Sequence, residues 1–219
     1  MCKFKSGIVL RDESAKGGFN LLMSPWTESH SELCQIFKLN DTATAPLYFA
    51  RVEFVPESME KAHLVESYKL TIDERRTPDW FTDDIKQDVT QRMSDYIKRI
   101  TVTGDVCLLI GGQFIVAPGA KVECAKACVI SAVCGGTISE VCGGTISAVC
   151  GGTISEVCGG TISAVRGGTI SAVCGGTISA VCGGTISEVR GGTISEVWGT
   201  YAPLIGPVQL PGKIEKDNR

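Results

Sequence analysis

Long apolar runs are missing from this sequence. No segment approaches the roughly 18 continuous apolar residues that a membrane-spanning helix requires. The basic opening Met1-Cys2-Lys3-Phe4-Lys5 leads into no apolar stretch of signal-peptide length, because Arg11, Asp12 and Glu13 interrupt it. The expectation is a cytoplasmic chain with no membrane partner. Histidine is equally scarce: His30 and His63 are the only two, and neither stands in a metal or triad spacing. Without a nameable base, nucleophile and orienting carboxylate, no enzyme is expected, and no catalytic residue, metal ligand or cofactor is assigned. An excess of one charge is also absent. The formal charge is −3, with Lys and Arg interspersed among Asp and Glu, so no broad basic field is available to neutralise a phosphate backbone. Nucleic acid is therefore not expected as a partner, and the charge is too small to argue for an acidic mimic of DNA.

What the chain does have is unevenly distributed. Nearly all aromatic residues lie before residue 115, whereas most of the 26 glycines and eight of the 11 cysteines lie after it. Such a shift marks a change of architecture. From Thr137 the sequence reads Thr-Ile-Ser-Glu-Val-Cys-Gly-Gly, and this octad recurs up to Thr193-Ile-Ser-Glu-Val-Trp198. Thr, Ile, Ser and Val never vary. One variable column holds Glu140, Ala148, Glu156, Ala164, Ala172, Ala180, Glu188 and Glu196; the other is Cys except at Arg166, Arg190 and Trp198.

Helix is excluded on physical grounds. Each octad carries two adjacent glycines, costing about 2 kcal/mol relative to alanine in a helix, and three β-branched residues whose χ1 freedom a helix restricts. Strand and turn is the consistent reading. The pleat sets Ile on one face and Thr and Ser on the other. Val follows Ile by three residues rather than two, so a corner between Ser and Val is required, and Gly-Gly supplies a second corner because glycine tolerates positive φ.

Each octad then offers one inward apolar residue from each of two short strand pieces, too little to be buried alone. Stacking at about 4.8 Å builds a continuous file and satisfies the backbone. The predicted core is Ile138, Val141, Ile146, Val149, Ile154, Val157, Ile162, Val165, Ile170, Val173, Ile178, Val181, Ile186, Val189, Ile194 and Val197. Columns that accept Glu or Arg must reach solvent, which makes Glu140, Glu156, Arg166, Glu188, Arg190 and Glu196 the candidate binding surface. One, two or three octads per coil are all compatible with the text. The alternation of Glu and Ala favours two, giving a four-sided coil of 16 residues, although duplication of a 16-residue unit would leave the same trace.

Open ends of such a stack invite polymerisation, so caps are expected. Val106–Ile110 and Gln113–Val116 are expected to begin the stack, with Cys124, Cys128 and Ile130 in degenerate first rungs. Trp198 and Tyr201 are expected to cover the last rung, before Pro203, Pro207 and Pro211 end ladder pairing. The fold class expected is an α+β N-terminal domain (1–104) followed by a mainly-β parallel β-solenoid, or β-helix, of eight-residue repeats. The solenoid spans 105–200, its regular part 129–198, and a capping segment with a solvated tail takes up 201–219.

In the N-terminal part, 3–10, 19–23, 47–55 and 67–72 are strand candidates. A helix over 29–39 opens with the capping-box pair Ser29 and Glu32 and an apolar face of Leu33, Ile36 and Phe37. His30, near its start, reads as a surface residue. A longer helix follows Thr77-Pro78-Asp79, where proline suits the first turn. Its stripe of Phe81, Ile85, Val89, Met93, Tyr96, Ile97 and Ile100 recurs at helical spacing and is expected to pack on the sheet.

The cysteine spacing of eight does not match the paired close ligands of structural zinc sites, and a column that admits Arg and Trp reads as a ladder of small side chains. An odd count at fixed period, without export signals, points to reduced thiols. The Thr and Ser columns resemble the Thr-x-Thr grid of ice-binding solenoids, with Ser in place of the second Thr. Gly-Gly-Thr lacks the Lys-Ser/Thr of a phosphate loop and is read as a corner.

The Thr-Ile-Ser-Glu-Val-Cys-Gly-Gly copies, behind an N-terminal part carrying Cys2-Lys-Phe-Lys-Ser-Gly and Ser29-His-Ser-Glu-Leu, resemble uncharacterised bacteriophage and prophage proteins with octapeptide β-helix repeats. They are also similar to pentapeptide-repeat proteins, though the period is eight rather than five, so a DNA-mimicking role does not carry over. The resemblance implies a phage or mobile-element accessory protein in a bacterial host, without enzymatic activity. Its solenoid would bind a host or phage protein, or the chain would serve as a homo-oligomeric or virion component.

Overall fold

The computed structural model describes residues 4–40, 48–74 and 76–198. They fall into two compact units. One comprises residues up to Ser58 together with Leu64–Arg99; the other comprises Met59–His63 together with Ile100 onward.

In the first unit, β1 (Lys5–Arg11), β2 (Phe19–Leu22), α1 (His30–Ile36), β3 (Phe49–Pro56), β4 (Tyr68–Ile72) and α2 (Asp83–Ile100) follow in chain order. The four strands form one antiparallel sheet in the order β2-β1-β3-β4. β1 is buried from Lys5 to Val9 without alternation, as a strand covered on both faces must be. Ile8 packs with Leu33 and Cys34 of α1. On the face that carries the odd-numbered residues of β1, the Lys5 ammonium lies 5.1 Å from the centre of the Tyr96 ring of α2, and Arg92 lies 4.3 Å from that of Phe19.

The stripe on α2 buries Val89, Met93 and Ile97, and Phe81, two residues ahead of the helix, is buried as well. Pro78 sits ahead of this helix, in a turn closed by the Phe81 amide donating to the Pro78 carbonyl. Thr82 Oγ1 then accepts from the Ile85 amide and caps the helix. In α1 the Ser29 hydroxyl accepts from the Glu32 amide at 3.4 Å, as the capping pattern implies. Its buried face is His30, Leu33 and Cys34, whereas Ile36 is 53% exposed. The apolar face drawn through Ile36 was therefore one step out of phase, because a seven-residue helix has too few turns to average the signal.

The second unit is a parallel β-solenoid. Its irregular first strands are β5 (Thr101–Val102), β6 (Asp105–Ile110), β7 (Gln113–Val116), β8 (Lys121–Lys126) and β9 (Val129–Val133). The regular ones are β10 (Thr137–Val141), β11 (Thr145–Val149), β12 (Thr153–Val157), β13 (Thr161–Val165), β14 (Thr169–Val173), β15 (Thr177–Val181), β16 (Thr185–Val189) and β17 (Thr193–Val197). Even-numbered strands from β6 to β16 make a six-stranded sheet, and odd-numbered strands from β5 to β17 make a seven-stranded one. Thr137 pairs with Thr153, Ile138 with Ile154 and Val141 with Val157. The sequence thus repeats every eight residues and the structure every sixteen, with one octad on each sheet. A coil of two sheets replaces the four sides expected from a sharp corner inside each octad. The ladder instead continues through the octad and omits the Ser position: Thr, Ile, Glu or Ala, and Val pair, and Ser does not. That irregularity lets Ile and Val, three residues apart, face the same way.

Ile138, Ile146, Ile154, Ile162, Ile170, Ile178, Ile186 and Ile194 form one cluster with the Val residues from Val141 to Val189, all at most 7% exposed, and Val197 packs partly buried against it. Hydrogen bonds continue through the corners, with Thr153 N donating to Gly136 O and Cys158 N to Val141 O, each at 2.9 Å and seventeen residues back. The second glycine of each corner is obligatory. Gly160 has φ 84°, and a Cβ there would lie 2.6 Å from the Gly144 carbonyl oxygen of the preceding coil. The stack starts one strand earlier than the sequence suggested, since β5 pairs with β7. Tyr201, Pro203, Pro207, Pro211 and the tail lie outside the described residues.

Candidate functional site

Because two octads close one coil, side chains sixteen residues apart share a column. Glu140, Glu156 and Glu188 fall in one column of the six-stranded sheet, with Cys124 and Ala172. Ala148, Ala164, Ala180 and Glu196 occupy the matching column of the seven-stranded sheet. The alternation of Glu and Ala along the chain is therefore a sorting of charge onto one face. Of the six candidate surface residues, Glu140, Glu156, Glu188 and Arg190 share that face, while Arg166 and Glu196 stand on the other.

On the charged face each Cys meets the Glu column one coil back, a separation of eighteen residues. The Cys158 thiol donates to Glu140 Oε1 at 3.4 Å and the Cys174 thiol to Glu156 Oε1 at 3.0 Å. At the first regular coil the Glu column holds Cys124, and the Cys124 and Cys142 sulfurs lie 3.2 Å apart. Arg190 has Ala172 in the corresponding place and turns to Glu188, 2.7 Å away. The hydrogen bond with Cys124, then burial and the hydrogen bond with Glu140, push the Cys142 thiol up to about 12. Burial and then Glu140 raise Cys158 to about 11. Cys174 is raised by its hydrogen bond to Glu156. These groups stay protonated thiols near neutral pH, and a thiol is a poor nucleophile.

On the opposite face the Cys134 thiol donates to the Met59 carbonyl at 3.3 Å, and burial pushes it up to about 11. Trp198 stands in the outer Cys and Arg column, 55% exposed, its indole Nε1 donating to Glu196 Oε2 at 3.2 Å.

The first unit holds three polar clusters. His30, read as a surface residue, is buried: Nε2 lies 3.1 Å from the Val52 carbonyl oxygen and Nδ1 3.1 Å from Asp73. A ring nitrogen facing a carbonyl must carry its proton, so Nε2 ties α1 to β3. His63 belongs to the second unit, its Nδ1 3.1 Å from the Glu60 carbonyl oxygen. Lys5 is fully buried, its ammonium donating to the Ser24 carbonyl at 2.6 Å and to Glu28 at 3.0 Å, while Glu28 also accepts from the Ser6 amide at 2.7 Å. Burial lowers the Lys5 pKa against the opposing pull of Glu28. An open depression on α2 is lined by Arg92, Asp95, Lys98 and Arg99. Arg92 is paired with Asp88, and Lys98 lies 3.8 Å from Asp95.

Sequence reasoning missed two of these arrangements. Lys5 stood inside a strand candidate with nothing to mark it as buried. The Cys124–Cys142 approach required the coil length, because eighteen is sixteen plus two. No helix among the described residues is long and apolar enough to cross a membrane. No family model matches the sequence, and no curated protein and no solved structure matches it. The fold itself defines a class: a parallel β-solenoid joined to a small α+β unit with an antiparallel sheet.

Proposed function

We propose that this protein is a non-enzymatic binding scaffold, an accessory protein of a bacteriophage or mobile element working in the cytoplasm of a bacterial host, whose solenoid presents a charged face to a partner protein. The observation that carries this reading is the segregation of the variable residues. The interior columns are invariant and dry, Glu140, Glu156 and Glu188 stand at multiples of one coil on a single sheet, and Arg190 follows two residues after Glu188. A periodic row of carboxylates on a fixed ladder suits a partner with basic groups at matching intervals, giving complementarity with little ordering entropy to lose. Thiols held above their ordinary range argue against a cysteine nucleophile on this face. The bacteriophage origin rests on the sequence resemblance alone.

The test is affinity capture from host cells with the full chain, a 129–198 deletion and a triple charge reversal, Glu140→Lys, Glu156→Lys and Glu188→Lys. A partner retained by the full chain and lost from both variants supports the scaffold. Capture that persists after the deletion removes the solenoid's role.

A second reading, a homo-oligomeric or virion component, draws on β6, an edge strand of its sheet on which Leu108 is 48% and Ile110 59% exposed. An apolar edge, paired on one side only among the described residues, is a template for association. Light scattering that shows a strict monomer counts against it.

A further inference from the structure

We propose that Cys124, Glu140 and Cys142 form a binding site for one soft divalent cation, of which zinc is the natural choice, on the charged face of the solenoid. Their ligand atoms all lie within 4.8 Å of one another. β8 and β10 hold Cys124 and Glu140 as direct ladder partners, and Cys142, two residues beyond Glu140, returns to the same face by the pleat. Cys124 and Glu140 therefore sit on strands, and Cys142, the first residue after β10, is held by its amide donating to the Ala125 carbonyl at 2.9 Å, which favours a defined geometry.

Two thiolates and a carboxylate are a donor set that zinc accepts, with an open position for a fourth ligand. Zinc–sulfur bonds of about 2.3 Å in a tetrahedron place two sulfurs about 3.8 Å apart. The thiols stand 3.2 Å apart, so a small rotation of each side chain opens the site. The Cys158 thiol, 3.4 Å from Glu140 Oε1, is the nearest candidate for the fourth position, with water the other. Binding forms two zinc–sulfur bonds and releases one proton from each thiol to solvent. The resulting three negative charges exceed the two of zinc by one, on a face where Cys124 and Cys142 are partly open to solvent.

The same diagonal recurs along the stack, but elsewhere it joins one Cys to one Glu, as at Cys158 with Glu140 and Cys174 with Glu156. Only the coil where Cys124 replaces Glu brings two thiols together among the described residues on this face. The site thus departs from the Cys–Glu diagonal at the point where the regular octads begin. Zinc there would bridge adjacent rungs and add a side-chain clamp to the backbone ladder.

The test uses the full chain, reduced and stripped of metal, titrated with Co2+. One equivalent is expected to bind with an intense thiolate-to-cobalt charge-transfer band, and one equivalent of Zn2+ to displace it. Cys124→Ser and Cys142→Ser are each expected to abolish the band, whereas Cys182→Ser, on the opposite sheet, leaves it intact. Glu140→Gln keeps both thiolates and is expected to weaken zinc at least about tenfold. It decides the matter should either serine variant fail to fold by circular dichroism. No charge-transfer band from the full chain, or a zinc isotherm unchanged by Cys142→Ser and Glu140→Gln, overturns the site, as does a band lost equally in Cys182→Ser.

Discussion

In the N-terminal unit the described buried side chains sit in individual arrangements, whereas in the solenoid Ile and Val play the same two parts in strand after strand. The first unit relies on individual arrangements. Phe54 stacks on Tyr68 with ring centres 4.8 Å apart, His30 joins a helix to a strand, and Lys5 is buried against Glu28. The second relies on a ladder in which each residue meets its own copy sixteen positions away. Aperiodic packing makes each contact singular and its loss severe. Periodic packing makes each rung equivalent, so the outward columns are free to vary.

The largest expected effect lies in the aperiodic unit. Glu28→Ala leaves the fully buried Lys5 ammonium without its carboxylate, and the expected loss is about 3–5 kcal/mol in chemical denaturation. Replacing both partners with apolar residues should recover most of it; no recovery would mean that the pair does more than neutralise itself.

Next comes the equivalence of the rungs. Ile154→Ala and Ile170→Ala each empty a site that is 0% exposed, and each should cost about 3 kcal/mol. Costs that differ by more than about 1 kcal/mol would break the equivalence of the rungs. Gly160→Ala should follow at about 2 kcal/mol or more, because φ 84° and the facing carbonyl both oppose a Cβ. Gly18, also at positive φ but with open space around it, should pay only the conformational part, about 1–2 kcal/mol, and the gap between the two measures how tightly coils approach.

The remaining effect is the dependence on alkaline pH. Cys134 is raised from its ordinary 9.0 to about 11, so the folded state keeps a proton that the unfolded chain gives up. The stability linked to it is complete below pH 9 and lost as pH rises through about 11. Melting temperatures of the parent and Cys134→Ala should therefore converge over that interval; parallel curves would refute the linkage. Lys5 has the opposite sign. Its lowered pKa means that raising the pH toward the ordinary 10.5 relieves a buried charge and favours the folded first unit.

The legible parts of the structure were those governed by neighbours along the chain. The strand candidates in the first unit reappear within two residues as β1 to β4. Ser29 caps α1, and the α2 stripe buries Val89, Met93 and Ile97. The inward placement of Ile and Val followed from their failure to vary while the Glu and Cys columns did. Less legible were Ile36, His30 and the sharp corner inside the octad. His30 is buried because Val52 offers a carbonyl twenty-two residues away, and nothing local announces that. The corner was inferred from ideal pleating, and a ladder that omits one residue per rung resolves the same conflict with less bending.

By itself, the sequence determined that the octads form strands, that glycine turns them, and that Ile and Val make the interior. β-branching, positive φ and apolarity are properties of a residue and its immediate neighbours. The alternation of Glu and Ala favoured two octads per coil, and the tertiary structure fixed that number and laid the coil out as two sheets rather than four sides. From that closure alone come the gathering of Glu140, Glu156 and Glu188 on one face and the meeting of Cys124 with Cys142. Contacts sixteen and eighteen residues apart are set by how the chain returns on itself, and the invariant Thr, Ile, Ser and Val columns carry no record of that return.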